Sequence, residues 1–255
     1  LPLVLLIVIK GAPWMFCLLL SALCLVAMQE FFAMSLPERR TELLAFSVLG
    51  ALTVATPLLG NSLPVIMAIA VAFLLVCFHF LFRLRTINTV ASELSLVITA
   101  FIYIPFLLIH LMMIRLLPQG SSWLLLIMLI VMTNDATAYY VGSAFGKHRL
   151  YEAVSPKKSI EGALGGLAGS LIGALLAQYF FFNQLGYADV IITALVIGVI
   201  GQVGDLFESL LKRSFGVKDS GSIFPGHGGV LDRLDSILFA APVTYYYAVY
   251  LFGRF

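Results

Sequence analysis

WLLLIMLIVMTNDATAYYVGSAFGKHRL, residues 123–150, decides the fold. Its first ten residues carry no charge, the run to Phe145 holds a single acid, Asp135, and the cations Lys147 and Arg149 follow at once. A helix needs about 20 predominantly apolar residues to cross the hydrocarbon core of a bilayer, so this stretch reads as a membrane span that ends in a basic loop.

The pattern recurs along the chain. Apolar segments bounded by Gly, Pro or charge fall at about 1–9, 14–35, 43–59, 63–82, 94–117, 123–145, 162–182, 188–211 and 235–253. The expected fold is therefore all-α, a polytopic integral membrane helical bundle with about nine transmembrane helices. Composition agrees: of 255 residues 61% are apolar and 11% charged, with a mean hydropathy of +1.05, against roughly 25% charged in soluble domains. That excludes a soluble single-core protein and leaves no room for a separate soluble domain. Because the chain opens at Leu1 rather than Met, a short preceding segment is expected. Leu1 to Ile9 reads as a truncated span and not as a cleaved signal, since no small-residue cleavage site follows it.

Loop charge orients the spans, because Lys and Arg favour the cytoplasmic side. Arg39 and Arg40 follow the second span, Arg83 and Arg85 the fourth, Lys147, Arg149, Lys157 and Lys158 the sixth, and Lys212, Arg213 and Lys218 the eighth. The alternate loops carry almost no cations, although Lys10 and Arg115 soften the contrast. The basic loops and the N-terminus are expected in the cytoplasm. A formal charge of +2 excludes the global basic field that nucleic-acid binding needs. Cys17, Cys24 and Cys77 lie in apolar runs and suggest neither disulfides nor zinc.

The halves differ in kind. Residues 1–122 form a nearly featureless scaffold, in which His79 and His110 read as lying near span ends or as internally satisfied, and Glu30 as a carboxylate near the cytoplasmic interface. Residues 123–255 bring polar groups into the spans and are expected to be the catalytic region, both belonging to one integral membrane unit. Gly162, Gly165, Gly166, Gly169 and Gly173 place small residues along one helical stripe, which predicts close helix packing, within one subunit or across a homodimer.

Carboxylates within a membrane are functional candidates, because the cost of burying each must be offset by a partner, a metal or a water-filled cavity. Asp135 lies in the sixth span, and Asp205 and Glu208 lie near the end of the eighth. Asp205, Glu208, Ser209 and Lys212 share one helical face by their spacing, and an internal Asp205 to Lys212 charge network is the structural alternative. The loop that follows, SLLKRSFGVKDSGSIFPGHGGVLDRLD (209–235), is basic, glycine-rich and closed by Asp232 and Asp235. Gly221, Gly226, Gly228 and Gly229 would let backbone N–H groups converge on an anion, with Lys212, Arg213, Lys218, His227 and Arg233 as cationic donors. Phosphate is the natural ligand, and paired carboxylates beside such donors fit a hard divalent cation bridging phosphates.

This stretch resembles the signature of the phosphatidate cytidylyltransferase (CDP-diglyceride synthetase) family at Ser209, Lys212, Arg213, Lys218, Asp219, His227, Gly228, Gly229, Asp232, Arg233 and Asp235. NDATAYYVGSAFGKHRL (134–150) and SPKKSIEGALGG (155–166) are similar to the same family, with Ser159 where members commonly carry Thr. By motif the resemblance covers about 123–250; the first half fits only in hydropathy and span count. It implies a bilayer-embedded enzyme of the bacterial inner membrane that converts CTP and phosphatidic acid into CDP-diacylglycerol and pyrophosphate at the cytoplasmic face. It implies Mg²⁺, with K⁺ as a second candidate ion. On that reading Asp205 and Asp232 bind the metal, and Asp135, Asp219 and Asp235 are further ligands or orient them. Lys157, Lys158, Lys212, Arg213, Lys218 and Arg233 hold the triphosphate and the lipid phosphate, and Ser209, His227, Gly228 and Gly229 complete the substrate site. Asp205, Asp232, Asp235, Lys158 and Lys212 are the expected catalytic set, while Glu208, Glu161 and Tyr139 are expected to be structural. Two rivals fit less well. A secondary transporter predicts two similar halves, and a CDP-alcohol phosphotransferase needs a DG-x-x-AR motif that is absent.

Overall fold

The computed structural model describes residues 2–39, 42–60, 62–83, 87–222 and 228–253. His227, Gly226, Arg40 and Arg85 lie outside the described residues. The nine apolar segments all form helix, as lipid requires of a chain that must satisfy its own backbone hydrogen bonds. They are α1 (Pro2–Lys10), α2 (Pro13–Ser35), α3 (Leu44–Val54), α4 (Ser62–Phe82), α5 (Ile87–Phe101) continued into α6 (Leu107–Leu116), α7 (Gly120–Phe145), α8 (Ile160–Phe180), α9 (Tyr187–Ser214) and α10 (Leu231–Tyr250). Among the described residues six stretches are long and apolar enough to cross a bilayer: α2, α4, α5 through α6, α7, α8 and α9. The chain is an all-α polytopic membrane protein.

The structure departs locally from the hydropathy pattern at four places. Segment 43–59 is α-helical only to Val54, because Pro57 has no N–H with which to extend the ladder; a 3₁₀ turn, Thr56–Leu59, follows, and Gly60 reverses the chain at φ 103°. Helix α5 starts at Ile87 rather than near 94, and it accommodates Ser92, Ser95 and Thr99 because their hydroxyls donate to carbonyls three or four residues back at 2.7–2.8 Å. Pro105 then forces a π-turn, Ile102–Phe106, between α5 and α6. Finally, the basic loop after α7 contains a hairpin: β1 (Arg149–Tyr151) pairs antiparallel with β2 (Ser155–Ser159), Arg149 opposite Ser159 and Tyr151 opposite Ser155.

The chain divides into two compact units, Leu1–Met113 with Asp219–Leu231, and Ile114–Lys218 with Asp232–Phe255. In the first, α2 and α3 are joined by Ser21 Oγ donating to Ala51 O at 3.0 Å and Gln29 Nε2 donating to Ser47 Oγ at 2.7 Å. Arg39, expected as an exposed loop cation, is buried: it pairs with Glu42 and Glu93, and its guanidinium lies 5.2 Å from the Phe80 ring centroid. Desolvating a guanidinium is tolerable where carboxylates and an aromatic face replace its water. His110 is satisfied within its helix, with Nδ1 2.9 Å from Phe106 O.

In the second unit the glycine stripe is used internally, joining α8 to α7 and α9. A Cβ at Gly169 would collide with Thr137 Oγ1 and the Thr133 carbonyl, and one at Gly166 would lie 2.6 Å from Gln202 Nε2 and 2.8 Å from Asn134 Oδ1. Small residues therefore let the backbones approach closely enough for side chains to hydrogen-bond across three helices. Asn134 Nδ2 donates to Ser170 Oγ at 2.7 Å, and Gln202 Nε2 donates to Asn134 Oδ1 at 3.1 Å and to Ala163 O at 3.0 Å. Where α7 begins and α8 and α10 end, Trp123 packs edge-on against Phe182 and Phe252 at 4.9 and 5.1 Å.

Candidate active site

The second unit gathers charge where α9 and α10 run together and the β-hairpin returns. Gly204 sets the approach: a Cβ there would come within 2.6 Å of Asp235 O, so this glycine lets α10, with Asp232 and Asp235 in its first turns, lie against the stretch of α9 that carries Asp205 and Glu208. The hairpin adds a cation. Strand β2 ends at Ser159, whose Oγ accepts from Gly162 N at 3.1 Å and caps α8; this fixes the register that leaves Lys157 exposed and turns Lys158 inward. A serine serves this cap with the hydroxyl that threonine would supply.

Lys158 Nζ meets Asp205 Oδ2 at 2.5 Å, and both side chains are about one-third exposed, 30% and 32%. Asp135 and Asp235 act on this pair electrostatically: Asp135 interacts with Asp205, Lys158 and Arg233, and Asp235 with Asp205, Asp135 and Lys158. Three carboxylates and two cations thus act on one another within this cluster. Among the described residues no three His, Cys, Asp or Glu side chains are close enough to hold a metal by themselves. The donors are nevertheless of the right kind, since Mg²⁺ commonly takes one or two carboxylates and completes its shell with water and phosphate oxygens.

The neighbouring group is more deeply buried. Lys212 Nζ pairs with Glu208 on its own helix and donates to Asp232 Oδ1 at 2.6 Å, with side-chain exposures of 11%, 1% and 9% for Lys212, Glu208 and Asp232. Of the alternative Asp205 to Lys212 network, only the Glu208–Lys212 pair is formed. Asp205 turns to Lys158 instead, and Lys212 is clasped between Glu208, one helical turn before it, and Asp232, the second residue of α10. Glu208 thus holds the ammonium that also contacts Asp232.

The remaining candidates are distributed as follows. Ser209 is buried beside Glu208 on α9. Arg213 is tied to the backbone, its NH1 donating to Val217 O at 2.9 Å, while Lys218 and Arg233 are exposed. Asp219, also exposed, belongs to the first unit with Gly228 and Gly229. Gly228 has φ 78°, the left-handed region where a side chain is strained. Glu161 accepts from the backbone N–H of Lys147 and His148 at 3.1 and 3.2 Å and lies 2.6 Å from His148 Nδ1; it secures the turn that leads into the hairpin.

Sequence reasoning passed over the buried amides Asn134 and Gln202, and also Asp189, whose carboxylate accepts from Gly186 N at 3.0 Å and from Tyr247 Oη at 2.5 Å. Neutral amides carry no charge signal in an apolar run. Asp189 had one available, an acid in the first turn of a span, but it stands at the helix end opposite the cationic loops.

Comparison with known proteins gives this geometry a family. Residues 1–251 match the cytidylyltransferase family. A Staphylococcus saprophyticus protein named phosphatidate cytidylyltransferase is 34% identical over 225 residues, which is 87% of this chain and 85% of that relative. Bacillus subtilis and Staphylococcus aureus proteins of the same name are 39% identical over 156 residues and 46% identical over 125; these matches take in 61% and 49% of this chain and span 58% and 48% of those relatives. With a match across nearly its whole length, the chain belongs to the cytidylyltransferase family.

Proposed function

We propose that the protein is a CTP:phosphatidate cytidylyltransferase that forms CDP-diacylglycerol and pyrophosphate at the cytoplasmic face of the membrane. The observation that carries this reading is the one-third-exposed Lys158–Asp205 pair, flanked by Asp135, Asp235 and Arg233, in a membrane protein whose relatives bear that name. Such a cluster can exchange its internal pairing for a metal and phosphates. The closed Lys212 brace beside it keeps Asp232 fixed.

In the proposed reaction a phosphate oxygen of phosphatidate attacks the α-phosphorus of CTP. A phosphoanhydride P–O bond forms, the bond from the α-phosphorus to the bridging oxygen breaks, and pyrophosphate leaves with the electron pair. The nucleophile arrives with the lipid, so no Ser or Cys is required, and the protein contributes position and charge. Lys158 and Arg233, with Lys157 on β2, Arg213 in the last turn of α9 and Lys218 on the loop after it, would hold phosphate oxygens and offset charge developing on the leaving group. Mg²⁺ would be held by Asp205 and Asp232, oriented by Asp135 and Asp235, and would supply Lewis-acid polarisation of phosphate oxygens. The alternation of basic loops supports the cytoplasmic placement.

The test is conversion of labelled CTP to chloroform-soluble product by purified protein in detergent, with phosphatidate and Mg²⁺ each present or omitted. Labelled lipid only when both are present supports the reading. Folded protein that binds CTP but forms no lipid product overturns it.

A further inference from the structure

Glu30 was expected near the membrane interface, and it is found 5% exposed, in the interior of the first unit. Its carboxylate accepts three hydrogen bonds from the glycine-rich segment: Val230 N to Oε1 at 2.9 Å, Leu231 N to Oε2 at 2.8 Å and Ser220 Oγ to Oε2 at 3.3 Å. The segment is shaped to this group. A Cβ on Gly221 would lie 2.5 Å from Oε1, and one on Gly229 would lie 2.5 Å from Oε2 and collide with Ser220 Oγ. Two of the glycines read from sequence as an anion cradle therefore already cradle an anion, the side chain of Glu30.

Leu231 is the first residue of α10. A helix leaves its first N–H groups without intrahelical partners and carries partial positive charge there, and an ionised carboxylate that takes two adjacent N–H groups is a strong, directional cap. Fixing Val230 and Leu231 fixes the start of α10, and Asp232 is the next residue along the chain. Glu30 is separated from the segment it holds by about 190–201 positions in sequence, so the constraint is tertiary and is lost with the one side chain.

We propose that Glu30 is a positioning residue of the cytidylyl-transfer reaction, which caps α10 from a distant helix and so presets Asp232. This rests on the functional reading above. It gives the first half of the chain a part in catalysis without contact with substrate, and it means that the Val230 and Leu231 N–H groups are committed to Glu30 rather than to a substrate phosphate.

The experiment compares wild type, Glu30→Ala and Glu30→Gln in detergent by amide hydrogen exchange and by steady-state kinetics against CTP and Mg²⁺. In Glu30→Ala, exchange at Val230 and Leu231 should rise about tenfold while amides of α7 to α9 keep their protection. Its kcat at saturating CTP and phosphatidate should fall about ten- to a hundredfold with KM for CTP changed far less, and Glu30→Gln, which keeps one acceptor oxygen, should recover part of both losses. Unchanged protection at Val230 and Leu231 overturns the cap; lost protection with wild-type kcat overturns the positioning role. If Glu30→Ala does not purify as folded protein, Glu30→Gln carries both readouts. If wild type shows no cytidylyl transfer, the functional reading fails, and the exchange measurement still decides whether Glu30 holds the segment.

Discussion

Replacing Lys212 with methionine keeps most of the side-chain volume and removes the charge that Glu208 and Asp232 share. Two carboxylate oxygens held by one ammonium lie within about 5 Å of each other, and at an effective dielectric of about 20 two unit charges at that distance repel by about 3 kcal/mol. Both carboxylates are almost fully buried, so water cannot replace the ammonium, and loss of one partner from such a pair costs about 3–5 kcal/mol. Lys212→Met should therefore unfold about 3–5 kcal/mol more easily in mixed-micelle equilibrium unfolding. The double variant Glu208→Gln/Lys212→Met, with the repulsion removed, should regain about 1.5–3 kcal/mol through coupling of the two sites, without regaining activity. A Lys212→Met protein within about 0.5 kcal/mol of wild type, or a double variant no more stable than the single, would refute the brace.

Three further outcomes follow from the same geometry. Lys158→Ala breaks a pair that is one-third exposed and should cost less than about 1 kcal/mol of stability, while labelled-lipid formation drops about a hundredfold or more; a large fall in unfolding free energy would make Lys158 structural instead. Gly169→Leu, placed against Thr137 and Thr133, should destabilise by at least about 1–3 kcal/mol through overpacking, and a thermal midpoint equal to wild type would contradict the close α7–α8 approach. Tyr247→Phe removes the hydroxyl donor to buried Asp189 and should lower unfolding free energy by about 1–3 kcal/mol without changing KM for CTP; an altered KM would give this end of the unit a part in substrate binding.

The spans were legible because lipid permits few alternatives: each crossing needs about 20 apolar residues and a self-satisfied backbone. The carboxylates stood out for the related reason that charge in such a run is expensive. Pairing was less legible. Helical spacing put Asp205, Glu208 and Lys212 on one face, yet it could not show that a hairpin would deliver Lys158 to Asp205 and leave Lys212 to Glu208 and Asp232. Arg39 was counted as a loop cation because burial by Glu42, Glu93 and Phe80 is a tertiary fact. Glu30 was noted as a membrane acid, but the part it plays was not legible. Its partners are backbone N–H groups, which have no sequence identity, and the glycines that admit it carry equally well the reading of a phosphate loop.

The most direct measurement of the central claim is product stoichiometry in liposomes of defined phosphatidate content, with lipid mass and released pyrophosphate determined from the same reaction. The account predicts one CDP-diacylglycerol for each pyrophosphate, both absent without phosphatidate. Pyrophosphate released with free CMP and no nucleotidyl lipid would contradict it.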